Sequence, residues 1–307
     1  MSPSRSHIIK TTMHIILDTD LGTDIDDHWA LGMLLNIPDL QIDMVLTATG
    51  DTTYRAALAA KLLAVAGRND IPVGIGLPFN QDKIDVTLKD YLADYTIADA
   101  QCPVITDGIA EAIRIIERND ETVIIAIAPM TNLGRIVATR PDLASKCRVF
   151  SMAGSIAKNF RDASGKVPEY NVVCDTAASQ NVFAANWKQF TITPLDHCGN
   201  IVLSGELYEQ MLHSERPLPR EIIKAYRSWQ KIYKNDDNPD LHSSILYDTV
   251  AVYLATDGHG VQYSNMTLSV DDKGFLQETP DGKPVRVALG WDDKPAFMRD
   301  LVAIMTR

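Results

Sequence analysis

Five carboxylates fall within ten residues near the start of the chain, in Asp18-Thr-Asp20-Leu-Gly22-Thr-Asp24-Ile-Asp26-Asp27. Negative side chains so close together repel one another, and a folded chain keeps them where something offsets that repulsion. A hard divalent cation does so directly, because Ca²⁺ and Mg²⁺ take oxygen ligands from carboxylates. The apolar run Ile15-Ile16-Leu17 precedes the cluster and reads as a buried strand, while Asp27–Leu35 after it has helical spacing. A loop between strand and helix lies at the carboxyl edge of a sheet, where open α/β folds build their sites. The cluster is a candidate metal site with a place in the fold.

Strand-like runs at His14–Leu17, Asp43–Ala48, Ile71–Ile75, Thr122–Ala128, Arg148–Met152 and Phe190–Pro194 alternate with helical patterns. The clearest helices are Asp27–Leu35, Tyr54–Ala66, Ile109–Glu117 and Asp175–Ala185. Such alternation implies right-handed βαβ units. The fold expected is α/β, an open, mostly parallel, doubly wound sheet with a Rossmann-like core and added helices and loops. One domain is expected over residues 13–307, behind a polar leader, Met1–Thr12, that lacks the apolar centre of a secretory signal and reads as disordered. Asn80–Cys102 and Ala157–Pro168 have no clear period and read equally as binding loops or plain surface. Ser214–Arg220 and Lys234–Asp240 read as surface segments flanking a helix.

With 307 residues, 46% hydrophobic and 22% charged, the composition is that of an ordinary globular protein. A net charge of −11 argues against a nucleic-acid-binding face. Cys102, Cys147, Cys174 and Cys198 lack the spacing of a zinc cluster or a disulfide framework, which points to a reducing setting. No apolar stretch is long enough for a membrane span. The chain is expected to be cytoplasmic.

The acidic loop fails as an EF-hand: counted from Asp18, the glycine position holds Thr23 and the closing glutamate position holds Trp29. Phosphotransferases with an aspartate nucleophile carry Asp-x-Asp-x-Thr/Val, and Gly22 stands at the fifth place here. Asp-Thr-Asp-x-Gly followed by Asp-Asp instead resembles the signature of the nucleoside hydrolases, with Thr23-Asp24 as a two-residue insertion. Further similar segments follow in order. They are Thr47-Ala-Thr-Gly50-Asp51, Ile71-Pro-Val-Gly-Ile-Gly-Leu-Pro78, Ala128-Pro-Met-Thr131-Asn132-Leu133, Met152-Ala-Gly with Glu169-Tyr170-Asn171, Asp175-Thr-Ala-Ala, and Leu246-Tyr247-Asp248-Thr-Val-Ala251. The resemblance covers nearly the whole chain.

It implies a Ca²⁺-dependent N-ribohydrolase of the inosine/uridine-preferring type. Its substrate would be a small nucleoside or ribosyl compound, and the enzyme a homo-oligomer, dimer or tetramer. Cleavage of the C1′–N bond passes through an oxocarbenium-like ribosyl cation, and a carboxylate-held cation can activate water and grip the ribose. Carried over residue by residue, Asp20, Asp27, Asp248 and the Thr131 carbonyl are implied as metal ligands, with Asp20 also the general base. Asp26, Asn132, Glu169 and Asn171 are implied on the substrate, and Asp18 as a brace. Asp24 has no counterpart and reads as a solvated or helix-capping carboxylate.

Three positions depart from that pattern, one being the family's sugar-contacting asparagine before Glu169, which has no aligned equivalent here. Tyr247 stands where histidine often protonates the leaving base, so Tyr247, or else His242 from a nearby loop, is the candidate acid. Asp51 replaces an asparagine on the ribose and is retained as a candidate substrate contact. The aromatic residues of Tyr226–Tyr233 either stack on the base or pack on the core, and His28 and Trp29 read as a packed helix face. Hydrolysis of another ribosyl or glycosyl compound, or non-catalytic binding of Ca²⁺ and ribose, are the alternatives these departures leave.

Overall fold

His14–Thr19 (β1) pairs in parallel with two strands, so neither of its faces meets water. This is why its sequence is a continuous apolar run and not an alternation. Ile15 and Leu17 point into one apolar layer with Trp29, Leu31 and Leu58, while Ile16 points into the other with Met44, Leu46, Ile109 and Ile124. A computed structural model describes residues 13–80, 86–233 and 237–307; the leader expected over Met1–Thr12 lies outside the described residues.

The remaining strands are Gln41–Thr47 (β2), Val73–Ile75 (β3), Val104–Ile105 (β4), Thr122–Ala126 (β5), Cys147–Met152 (β6), Gln189–Thr193 (β7), Val261–Val270 (β8), Leu276–Glu278 (β9) and Lys283–Trp291 (β10). They form one sheet in the order β4-β3-β2-β1-β5-β6-β7-β10-β8-β9. Every pair from β4 to β10 is parallel, and β8 and β9 close the far edge antiparallel. The chain steps outward from β1 to β4, returns to β5 beside β1, and steps outward the other way. That reversal opens a crevice at the carboxyl ends of β1 and β5, the place where such sheets bind ligands. The acidic loop leaves β1 there, and Ile127 N donates to Asp18 O at 2.8 Å to hold the two exits together.

All six strands and four helices expected from the sequence are present, with no end shifted by more than two residues. The β8–β9–β10 extension was not foreseen. Its reason is exposure: β8 leaves much of both faces partly open, and its sequence VQYSNMTLSV has neither a solid apolar run nor a clean alternation. Ser214–Arg220 leads into a long helix, Pro217–Tyr233. Tyr226 and Trp229 of that helix are buried, as are His28 and Trp29, so these side chains pack on the core. Among the described residues no helix is long and apolar enough to cross a membrane.

His197, in the short helix Leu195–Cys198 after β7, is buried with its ring stacked on Trp291 at 4.3 Å and its Nδ1 3.0 Å from Thr193 Oγ1. Burial pushes its pKa down from 6.5 to about 4. Between those values the unfolded chain binds a proton that the folded chain does not, so stability is full above 6.5 and falls as pH drops toward 4. The shift is worth roughly 3 kcal/mol. A His197→Phe variant, which keeps the stack and cannot titrate, is expected to lose about that much less stability than the parent between pH 7 and pH 4 in urea denaturation.

Candidate active site

The acidic loop is held from several sides. Gly22 has φ +104°, and a Cβ there would lie 2.6 Å from Leu58 Cδ1 and 2.8 Å from Tyr54, so the turn requires glycine. Arg55, buried in the helix Thr52–Val65, donates to the carbonyls of Thr49 at 2.6 Å, Leu21 at 3.1 Å and Asp20, and to Thr23 Oγ1 at 2.7 Å. Thr87 Oγ1 donates to the carbonyls of Gly22 and Thr23 at 2.9 and 3.0 Å. Trp229 Nε1 donates to the Thr23 carbonyl at 3.1 Å. Arg55 was not singled out from the sequence, although a lone arginine in the apolar stretch AALAAKLLAV and its lead-in was the available signal.

Beneath the loop, Asn132 joins three strand exits. Its Nδ2 donates to Asp18 Oδ1 at 2.7 Å and to the Thr47 carbonyl at 3.1 Å, and its Oδ1 accepts from Leu77 N at 3.0 Å. Asp18 is a brace, as expected, but through a side chain and not through backbone N–H groups.

Above lies a cavity of about 230 Å³ whose wall includes Asp20, Asp24, Asp26, Asp27, Glu169, Asn171, Tyr247 and Asp248. Ligand oxygens of Asp26, Asp27 and Asp248 lie within 4.8 Å of one another. Asp26 and Asp27 open the helix Asp26–Asn36, and Asp248 is in the first turn of Tyr247–Thr256. Asp26 Oδ2 accepts from Asp248 N at 3.3 Å, and Thr19 Oγ1 donates to Asp27. Burial raises the pKa of Asp20 to about 6, against the pull of the Arg55 charge. Burial, followed by the neighbouring aspartates, lifts Asp26, Asp27 and Asp248 well above the carboxylate range. Among the described residues none of these four forms an ion pair. Hard oxygen donors, gathered and lacking a cationic side chain, fit a divalent cation.

Glu169 Oε2 accepts from Gly154 N and Oε1 from Asn171 N, both at 2.8 Å, which fixes the carboxylate on the cavity wall. Burial raises its pKa to about 7. Asn171 Nδ2 donates to the Met152 carbonyl at 3.1 Å, and the residue lines the cavity. Tyr247 also lines the cavity, its hydroxyl pKa raised by burial and then by the charges of Asp26 and Asp24. Of the two segments without period, Ala157–Pro168 contributes Phe160 to the wall.

Three expectations are corrected. Asp51 is not on the cavity wall: its carboxylate caps the helix Thr52–Val65, accepting from Thr53 N and Tyr54 N at 3.1 and 3.0 Å. Asn132 is fully buried behind the loop by the bonds described above and does not face the cavity. His242 is absent from the wall because its backbone pairs with Ser204 and its Nδ1 lies 2.9 Å from the Ser243 carbonyl. Thr131 starts the helix Thr131–Thr139, with its hydroxyl on Asp175 at 2.8 Å. Asp24, which carried no role in the sequence, faces the cavity.

The profile of the inosine-uridine preferring nucleoside hydrolases matches residues 15–298. The chain belongs to the nucleoside hydrolase family. It is an N-glycosyl hydrolase acting on ribonucleosides. A non-specific ribonucleoside hydrolase, RihC, of Salmonella typhimurium is 26% identical, over 96% of this chain and 99% of that one. Solved structures share the fold across 96% of the chain. A plant nucleoside hydrolase has a TM-score of 0.77 at 21% identity and is covered over 99% of its length. An inosine-uridine preferring nucleoside hydrolase from Bacillus anthracis has a TM-score of 0.74 at 18% identity, also covered over 99%.

Asn132→Ala in this nucleoside hydrolase would leave Leu77 N and Asp18 Oδ1 buried without their partner. The expected loss is about 2–4 kcal/mol of stability, measured by urea unfolding, with a fall in activity as the loop loosens.

Proposed function

We propose that this nucleoside hydrolase works with a bound divalent cation, Ca²⁺ before any other, held by Asp20, Asp27, Asp248 and the Thr131 main-chain carbonyl. The observation that carries this reading is the gathering of buried carboxylates that form no ion pair among the described residues: Asp27 and Asp248 approach each other and Asp26 within 4.8 Å, and Asp20 lines the same wall. When bound, such a cation supplies Lewis acidity toward water and a grip on ribose hydroxyls.

The chain's own residues do the rest. Asp26 accepts a hydrogen bond from a ribose hydroxyl, and Glu169 and Asn171 hold the sugar from the opposite wall. As the C1′–N bond breaks, its electron pair leaves with the base and positive charge develops on the sugar. The fixed carboxylates of Asp20, Asp26 and Glu169 stabilise that charge, with no reorganisation needed at the moment of reaction. Asp20 takes the proton of the attacking water. Tyr247 faces the leaving base and holds its proton through the neutral range, so it acts as a hydrogen-bond donor to the departing nitrogen. Ile127, Met152 and Leu195 complete the wall and limit bulk water.

Ribose release from inosine, uridine, cytidine and adenosine tests this directly. Chelation is expected to abolish turnover and added Ca²⁺ to restore it; release that persists through exhaustive chelation overturns the metal role. Calorimetric Ca²⁺ titration separates neighbours in the loop. Asp27→Asn should lose tight binding, whereas Asp26→Asn should keep most of it and raise KM. Tyr247→Phe is expected to lower kcat by roughly 10²-fold with Ca²⁺ affinity intact. Four free cysteines accord with a reducing compartment. We place the enzyme in the cytoplasm as a dimer or tetramer, a subunit count that light scattering checks.

A further inference from the structure

Metal and sugar leave one carboxylate of the acidic loop without work, and that residue is not turned out to solvent. Asp24 lines the inner cavity beside Asp20 and Asp26. It also lines an adjoining outer cavity of about 510 Å³, which shares Phe160, Tyr233 and Tyr247 with the inner one, adds Arg161, Trp229, Asp237 and Ile245, and contains none of the proposed metal ligands. Asp24 thus stands at the junction of the two. Its charge acts on Asp26 and on Tyr247, both on the inner wall.

The position is built. The preceding residue, Thr23, is tied by Trp229 Nε1 at 3.1 Å, Thr87 Oγ1 at 3.0 Å and Arg55 at 2.7 Å, from three separate elements. Asp24 Oδ1 accepts from Ile25 N at 2.7 Å, one of about four acceptor sites a carboxylate offers. Across the outer cavity Arg161 lies 3.7 Å from Asp237, whereas Asp24 forms no ion pair among the described residues. Tyr233 stacks on Trp229 at 4.5 Å with the rings 16° from parallel, a flat apolar face of the kind bases stack on.

With the ribose held by the inner carboxylates, the base at the far end of the C1′–N bond reaches the outer cavity. We propose that Asp24 reads the leaving base, selecting nucleosides whose base presents an amino group there over those presenting a carbonyl oxygen. A carboxylate accepts hydrogen bonds and offers none when ionised, so facing the exocyclic position of the base it is satisfied by an amino group, whereas a carbonyl oxygen at that position sets two acceptors against each other. Sites built around such a bond discriminate strongly, because the mismatch leaves a buried polar group unpaired. This inference rests on the nucleoside-hydrolase reading and names the substrate class within it.

Matched pairs test it: kcat/KM for adenosine against inosine and for cytidine against uridine, with the Ca²⁺-loaded enzyme. The amino member of each pair is expected to be favoured by at least about tenfold. Asp24→Asn, isosteric and able to donate, should bring both ratios within about threefold. Asp24→Ala should lower them by slowing the amino members alone. Circular dichroism confirms that both variants are folded. Ribose release without an amino preference, or a preference that survives in both variants, overturns the role of Asp24 and leaves the hydrolase reading standing. No release from any of the four nucleosides overturns both.

Discussion

Burying several carboxylates against one another is the constraint to which the rest of this structure answers. Oxygens of Asp26, Asp27 and Asp248 lie within 4.8 Å of one another. At an effective dielectric near 20, unit charges at that separation repel by roughly 3 kcal/mol per pair. The three carboxylates, already penalised by burial, therefore resist ionising together, and their pKa values rise well above the usual range. The protein offsets part of this. Two helix N-termini point at the cluster, since Asp26, Asp27 and Asp248 all occupy first turns, but each contributes only about 1 kcal/mol. Arg55 adds charge from one side while its hydrogen bonds go to backbone carbonyls and Thr23. These terms fall short of the repulsion, whereas a divalent cation exceeds it. The site is organised around a charge that the side chains do not themselves supply.

Such a cluster needs a frame that does not yield, and the sheet provides it at the point where the strand order reverses. β1 and β5 sit side by side in the centre, paired through five residues each. The acidic loop and the segment bearing Thr131 leave that pair at neighbouring exits. Asn132 then ties the exits of β1, β2 and β3 with one amide, using donors and acceptor together. An aspartate there would add a sixth negative charge and lose the two donated bonds. The amide serves the loop without touching the cavity, which separates holding the site from working in it.

How much of this was legible follows from how local each cause is. Strands buried on both faces announce themselves as apolar runs, and β1, β2, β5, β6 and β7 were all visible. β8, half-exposed, carries no such mark. The carboxylates Asp20, Asp26, Asp27, Glu169 and Asp248 were all expected at the site and line one cavity. Asp51 and His242 were misplaced because a helix cap and a pocket carboxylate, or a turn histidine and a catalytic one, look alike in a sequence. What distinguishes them is the direction of the side chain, and the backbone decides that: Thr53 N and Tyr54 N claim Asp51. For a different reason, Asp24 carried no site role in the sequence, and Phe160 and Tyr233 lay in stretches readable either as binding or as plain structure. They meet only because the segment before Glu169, the helix Pro217–Tyr233 and the acidic loop converge, and no local pattern encodes that convergence.

The two cavities therefore answer to different constraints. The inner one is made from strand exits and helix starts locked by the central sheet, and any change of its charges disturbs the balance set out above. The outer one shares Phe160 and Tyr233 with it and adds Trp229, residues from a loop and a helix that are not among the gathered carboxylates. Tyr247 belongs to both, lining each cavity while its chain neighbour Asp248 faces the inner carboxylates. One helix start thereby fixes the distance between the group facing the leaving base and the proposed metal ligand. Substitutions can reshape the outer wall while that distance stays constant. On the proposed roles, the geometry of bond cleavage and the choice of base become separable, with Asp24 lining both cavities.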